Sequence, residues 1–143
     1  MARSLLSIGS NVGDRSEQLE RARTEIARHD QIEILRESTI LENQAILFED
    51  QADFLNQILE IETSLTPLDL LRFLQMIEDR LGRVRRFKYG PREIDLDILS
   101  YDRQKINTAD LTLPHPGVRD REYLHRLLAE LGVLPSDLED ERS

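Results

Sequence analysis

The chain has 143 residues, and its 28 Asp and Glu outweigh 19 Lys and Arg to give a formal net charge of −9. That length suits one compact core and excludes two ordinary domains. The acidic balance argues against a uniformly basic nucleic-acid binder, so an anionic ligand must be met by a local basic cluster. With no Cys there is no disulfide scaffold, thiolate metal site or cysteine nucleophile.

The first apolar stretch, Leu5 to Ile8, is interrupted by Ser7 and is too short for a secretion signal. Nothing approaches the roughly 20 apolar residues of a membrane span. A cytoplasmic protein without membrane association is therefore expected. Arg3 to Ile8 reads as a buried strand that meets a turn over Gly9 to Asp14. Asp14, with Glu17 three residues on, opens a helix whose Leu19, Ala22 and Ile26 recur at helical spacing. Ile32 to Leu41 predicts one continuous second strand, Glu42 to Ala52 a polar loop, and Phe54 to Glu62 a third strand. Thr66, Pro67 and Asp69 begin a second helix with Leu70, Leu74, Ile77 and Leu81 on one face, ended by Gly82. Ile94 to Tyr101 predicts a fourth strand in which Ile94, Leu96 and Ile98 face one way and Asp95 and Asp97 the other. A proline-containing loop leads to a last helix with Leu124, Leu127, Leu128 and Leu131, and the acidic tail after Pro135 is expected to fray. The order βαββαβ predicts an α+β, ferredoxin-like antiparallel sheet with helices on one face and an extra C-terminal helix.

Two local features oppose the net charge or extend it with purpose. RVRRFKYGPR, residues 83–92, carries Arg83, Arg85, Arg86, Lys88 and Arg92 and no acid. Arginines in such a run offer forked donors to phosphate, although a solvated basic hairpin explains the run equally well in isolation. Directly after it, Asp95 and Asp97 present oxygens to one side of a strand, a donor set suited to Mg²⁺ shared with phosphate; salt bridging on an exposed strand face is the bland alternative. Taken together, cations for phosphate and carboxylates for metal point to a polyphosphate substrate. No GxxxxGK[ST] is present, so a conventional P-loop is excluded. Gly9 to Gly13 reads as a strand-to-helix turn rather than a phosphate cradle. His115, held between Pro114 and Pro116, is placed either to donate to phosphate or to decorate the surface, and Phe54, Tyr89 and Tyr123 either to stack on a flat heterocycle or to fill the core.

Gly9-Ser10-Asn11-x-Gly13-Asp14-Arg15, DFLNQILEIET (53–63), GRVR (82–85), YGPREIDLDIL (89–99) and LTLPHP (111–116), followed by Arg121 and Tyr123, occur in the order and spacing of a known family. The chain resembles the 6-hydroxymethyl-7,8-dihydropterin pyrophosphokinases of folate biosynthesis along nearly its whole length. The resemblance implies transfer of pyrophosphate from ATP to the hydroxymethyl oxygen of the pterin, with release of AMP, by a monomer. It implies that Asp95 and Asp97 hold two Mg²⁺ ions and that Arg83 and Arg92 neutralise the transferring group. Arg85, His115 and Arg121 would grip the triphosphate or ribose side, and Gln75, Ile98 and Thr112 would contact ATP. Asn56 would read the edge of the pterin while Phe54, Tyr89 and Tyr123 pack around its ring.

The chain departs from the family pattern in ENQAILFEDQ (42–51), which lacks the Thr-Pro or Glu-Pro pair, in Tyr89 where Trp is usual, in Phe54 where Tyr is frequent, and in an early end. Those departures keep a second reading open, a non-catalytic or substrate-shifted pterin- or nucleotide-binding relative. An RNA-binding module is disfavoured by the missing aromatic RNP1 pattern and by the charge.

Overall fold

Ala2–Ser10 forms β1, and all of it except Arg3 is buried. A strand sheltered on both faces belongs in the middle of a sheet. β1 pairs antiparallel with β4 (Phe54–Thr63) on one side and β5 (Asp95–Tyr101) on the other. β2 (Ile32–Glu37) completes the order β2-β4-β1-β5, and β3 (Leu41–Asn43) also lies along β4. This computed structural model describes residues 1–43, 53–82 and 93–138.

The predicted helix starts hold atom for atom. Asp14 opens α1 (Arg15–Ala27) by accepting the Glu17 N–H at 3.0 Å, and Thr66 opens α2 (Pro67–Arg80) by accepting that of Asp69 at 3.2 Å. Gly82, at φ 86°, turns the chain out of α2 in the left-handed region. Leu19, Ala22 and Ile26 from α1 and Leu70, Leu74 and Ile77 from α2 close one core over Leu6, Ile8, Leu59, Ile61, Leu96 and Ile98. Each leucine or isoleucine of this core contributes about 1.5–3 kcal/mol by full burial.

The expectation of helices on a single face is corrected. α4 (Glu122–Glu130) lies on the opposite face, where Leu124, Leu127, Leu128 and Leu131 bury Leu5, Ile58 and Leu99. Those three strand residues alternate out of the first core and need their own cover. The end of α4 is tied down by Glu130, whose carboxylate oxygens accept both the N–H and the hydroxyl of Thr39 at 2.7 Å.

Other boundaries also move. The predicted second strand, Ile32 to Leu41, is broken at Ser38. Its hydroxyl accepts the Ile58 N–H at 2.8 Å in place of a backbone carbonyl, and its own carbonyl is taken by the Gln57 amide at 2.7 Å. The chain resumes as β3, so Glu42 and Asn43 belong to a strand rather than to the predicted loop. The proline-containing loop holds a two-stranded sheet, β6 (Ile106–Asn107) with β7 (Thr112–Leu113), followed by the single turn α3 (Gly117–Asp120). Pro135–Leu138 forms a short helix, α5, where fraying was expected, and Asp137 accepts the Leu134 N–H at 2.8 Å. Among the described residues no helix is long and apolar enough to cross a membrane.

β5 is the last strand in the sheet order, so among the described residues its outer side has no neighbouring strand. Glu78 of α2, buried at 7% exposure, accepts the Leu96 N–H there at 2.8 Å. Leu96 stands between the two aspartates, so this bond anchors the segment that carries them. Glu78→Ala should lower unfolding free energy by about 2 kcal/mol, the usual cost of stranding a donor that had a charged acceptor. Glu78→Gln, which keeps an acceptor, should cost less; urea denaturation of the two variants measures the difference.

Candidate active site

The strand registers build the site. Gly9 of β1 stands opposite Asn56 of β4 and Asp95 of β5, and Ser7 stands opposite Ile58 and Asp97. Directly paired residues share a face, so Asn56, Gly9 and Asp95 form one row and Ile58, Ser7 and Asp97 the next. Leu5 and Leu99 follow beneath α4. Each strand therefore passes from apolar residues under the helix to polar ones beyond it. Asp97 keeps 31% of its side chain exposed.

Gly9 fits this row because it has no side chain. A Cβ there would stand 2.7 Å from Asn56 Oδ1. Asn56 itself is buried at 5% exposure, between β1 and β3.

His115 reaches the same face. Its N–H donates to the Leu99 carbonyl at 2.9 Å, two residues along β5 from Asp97. Its Nδ1 accepts the Gly117 N–H at 2.9 Å, which leaves the proton of the neutral ring on Nε2. Nε2 faces Asp97 Oδ1 at 3.9 Å. Burial and the nearby Arg121 cation hold the His115 pKa below the ordinary histidine range, against the opposing pull of Asp95. Arg121 sits just before α4 and donates to the Tyr123 hydroxyl at 3.4 Å. Burial raises the Tyr123 pKa, and both aspartates raise it further, against the lowering by Arg121. The charges of Asp95 and Asp97 also reach Arg121 and help to raise its pKa although burial opposes them.

Beside His115 a cleft of about 440 Å³ is lined by Lys105, Thr112, His115, Arg119 and Asp120, among others. Its lining combines two cations, one carboxylate and an imidazole.

Of the residues singled out in the sequence, Asp95, Asp97, His115, Arg121 and Tyr123 come together, with Asn56 in the adjoining row. Phe54 is half-buried two residues before Asn56, paired with Asn43. Thr112 is exposed and lines the cleft. Ile98 does not bring its side chain to this face: at 2% exposure it belongs to the opposite core, as its alternation with Asp97 requires, and only its backbone remains near. Gln75 is exposed on α2, the helix covering that opposite face. Arg83, Arg85, Tyr89 and Arg92 lie outside the described residues, as do residues 44–51 of the atypical loop. Ser7, Lys105, Gly117 and Arg119 were not singled out from the sequence. The pairing of Ser7 with Asp97 needs the β1–β5 register, and the others depend on how residues 101–120 fold back.

A pair of carboxylates thus stands beside a neutral imidazole donor and an arginine on one face of the sheet. Among the described residues no cluster of three His, Asp or Glu forms a closed metal cage. The donor chemistry of Asp95 and Asp97 fits Mg²⁺, which is usually held by one or two protein carboxylates together with water and substrate phosphates.

The comparisons with known proteins agree. Residues 5–133 match the family described as 7,8-dihydro-6-hydroxymethylpterin-pyrophosphokinase, and the chain belongs to it. It is 42% identical over 126 residues to 2-amino-4-hydroxy-6-hydroxymethyldihydropteridine pyrophosphokinase of Bacillus subtilis, covering 88% of this chain and 75% of that protein. With the enzyme of the same name from Aquifex aeolicus it shares 42% identity over 131 residues, 92% of this chain and 81% of the other. It is also 40% identical over 126 residues to the folic acid synthesis protein fol1 of Schizosaccharomyces pombe, covering 88% of this chain but 17% of that longer protein.

His115 should therefore be neutral at pH 7 and titrate below a free histidine in NMR. Arg121→Ala removes a cation from beside the ring and should raise that titration point. A downward or absent shift would contradict the electrostatic account.

Proposed function

We propose that this pyrophosphokinase of folate biosynthesis transfers the pyrophosphoryl group of ATP across the Asp95–Asp97 face to the hydroxymethyl oxygen of 6-hydroxymethyl-7,8-dihydropterin. The observation that carries the reading is the pair of adjoining rows, which sets Asn56 and Gly9 beside Asp95, and Ser7 beside Asp97. The strand order supports a ferredoxin-like arrangement for the sheet.

In the reaction the hydroxymethyl oxygen attacks the β-phosphorus, its proton is lost, and the bond from that phosphorus to the α-phosphate oxygen breaks to release AMP. Such transfers need little covalent help and depend on alignment and charge stabilisation. When bound at Asp95 and Asp97, Mg²⁺, two ions in this reading, supplies neutralising charge to the phosphate oxygens. His115 donates from Nε2 to a phosphate oxygen, its tautomer set by the Gly117 N–H. Arg121 adds a fixed cation on the same side. From the basic run, Arg83 and Arg92 would stabilise the transferring group and Arg85 the triphosphate. Thr112 and the backbone at Ile98 would meet the nucleoside end, together with Gln75.

Asn56 would recognise the donors and acceptors at the pterin edge. Phe54, Tyr89 and Tyr123 would enclose the ring. Gly9 contributes by absence, since any larger residue displaces the Asn56 amide.

Incubation with ATP, Mg²⁺ and the hydroxymethyl dihydropterin should release AMP. ADP alone as product would overturn the assignment, and nucleotide binding without turnover would favour the non-catalytic reading. Asp97→Ala should lower kcat by about 10²-fold or more while retaining the folded structure, the scale expected for losing one preorganised charge-stabilising group. Gly9→Ala should raise KM for the pterin with little change in KM for ATP. Steady-state kinetics with each substrate varied in turn would separate the two.

A further inference from the structure

Gly117 opens the single turn α3 between His115 and Arg121, and it is buried. Its backbone φ is not in the left-handed region, so the main chain itself accepts any L-residue. What it lacks room for is a side chain. A Cβ at this position would stand 2.8 Å from Arg121 Nε, 2.9 Å from Cζ and 3.1 Å from Cδ. The Arg121 side chain thus lies directly over the α-carbon of Gly117.

Two further bonds make the turn a unit. The Gly117 carbonyl accepts the Arg121 N–H at 3.1 Å, and the Gly117 N–H donates to His115 Nδ1 at 2.9 Å. One glycine therefore touches both phosphate-facing side chains, one through its N–H and the other through its missing Cβ.

We propose that Gly117 is a positioning residue for nucleotide binding, and that the open space over its α-carbon sets where the Arg121 guanidinium stands relative to the aspartates. The inference rests on the reading of Arg121 as a phosphate grip. Alanine keeps the backbone N–H and hence the His115 tautomer, and the three atoms nearest its methyl all belong to the flexible end of Arg121. The cost of Gly117→Ala therefore falls on the position of Arg121 and not on the fold. Displacing a positioning group by about 1 Å costs up to about 10²-fold.

The test compares wild type, Gly117→Ala, Arg121→Ala and the double variant. Gly117→Ala should keep its melting temperature and His115 ring ¹⁵N shifts, move the Arg121 Nε–H resonance, and raise KM for ATP about tenfold. In the Arg121→Ala background the same substitution should add nothing. An unmoved Arg121 resonance, or an undiminished effect of Gly117→Ala without Arg121, would overturn the proposal. If Arg121→Ala leaves KM for ATP unchanged, the phosphate-grip reading fails, and the Arg121 resonance alone then upholds or overturns the positioning role. If Gly117→Ala fails to fold, recovery in the double variant upholds the contact and failure to recover overturns it.

Discussion

The register of β1 between β4 and β5 is the constraint on which the site depends. It sets Gly9 between Asn56 and Asp95, and Ser7 between Ile58 and Asp97. Side chains alternate along a strand, so a slip of one residue on either side would turn one partner of each row to the opposite face. The register is held from both faces. Leu6 and Ile8 are committed to the core under α1 and α2, and Leu5 to the core under α4. Buried hydrocarbon thereby fixes the polar residues.

α4 then divides its face into two halves. Its leucines seal Leu5, Ile58 and Leu99 and leave Asp97 and Asp95 at the partly exposed end of the face. Carboxylates beneath a helix would need paired charges at heavy desolvation cost, whereas at the uncovered end Asp95 and Asp97 remain partly hydrated. Glu78 completes the support from behind, through the Leu96 N–H. The segment that carries the aspartates is thus held in place by its apolar neighbours and by Glu78.

Charge follows a similar division. In a protein of net charge −9, five cations without an acid are gathered in residues 83–92, directly before Asp95 and Asp97. Arg121 is placed near both aspartates, and a partly buried imidazole held neutral still donates one hydrogen bond. The relation of this chain to the pyrophosphokinases rests on the family match over residues 5–133 and on the similarity to its relatives.

The helix starts at Asp14 and Thr66, the alternation of Asp95 and Asp97 against Ile94, Leu96 and Ile98, and the leucine stripe of α4 were all legible in the sequence, because each depends on local spacing. That same period already opposed a side-chain role for Ile98. The break at Ser38 was not legible, since its hydroxyl matters only once Ile58 lies beside it. Nor was the second face, because a stripe of leucines does not say which side of a sheet it will cover. The sequence by itself determined where the acidic pair and the basic run lie and which stripes of apolar residues must be buried. The tertiary structure alone decided that Gly9 leaves space for Asn56, that Gly117 leaves space for Arg121, and that His115 turns Nε2 toward Asp97. Those are close approaches between residues on different strands and turns, and no local propensity encodes a distance across a fold.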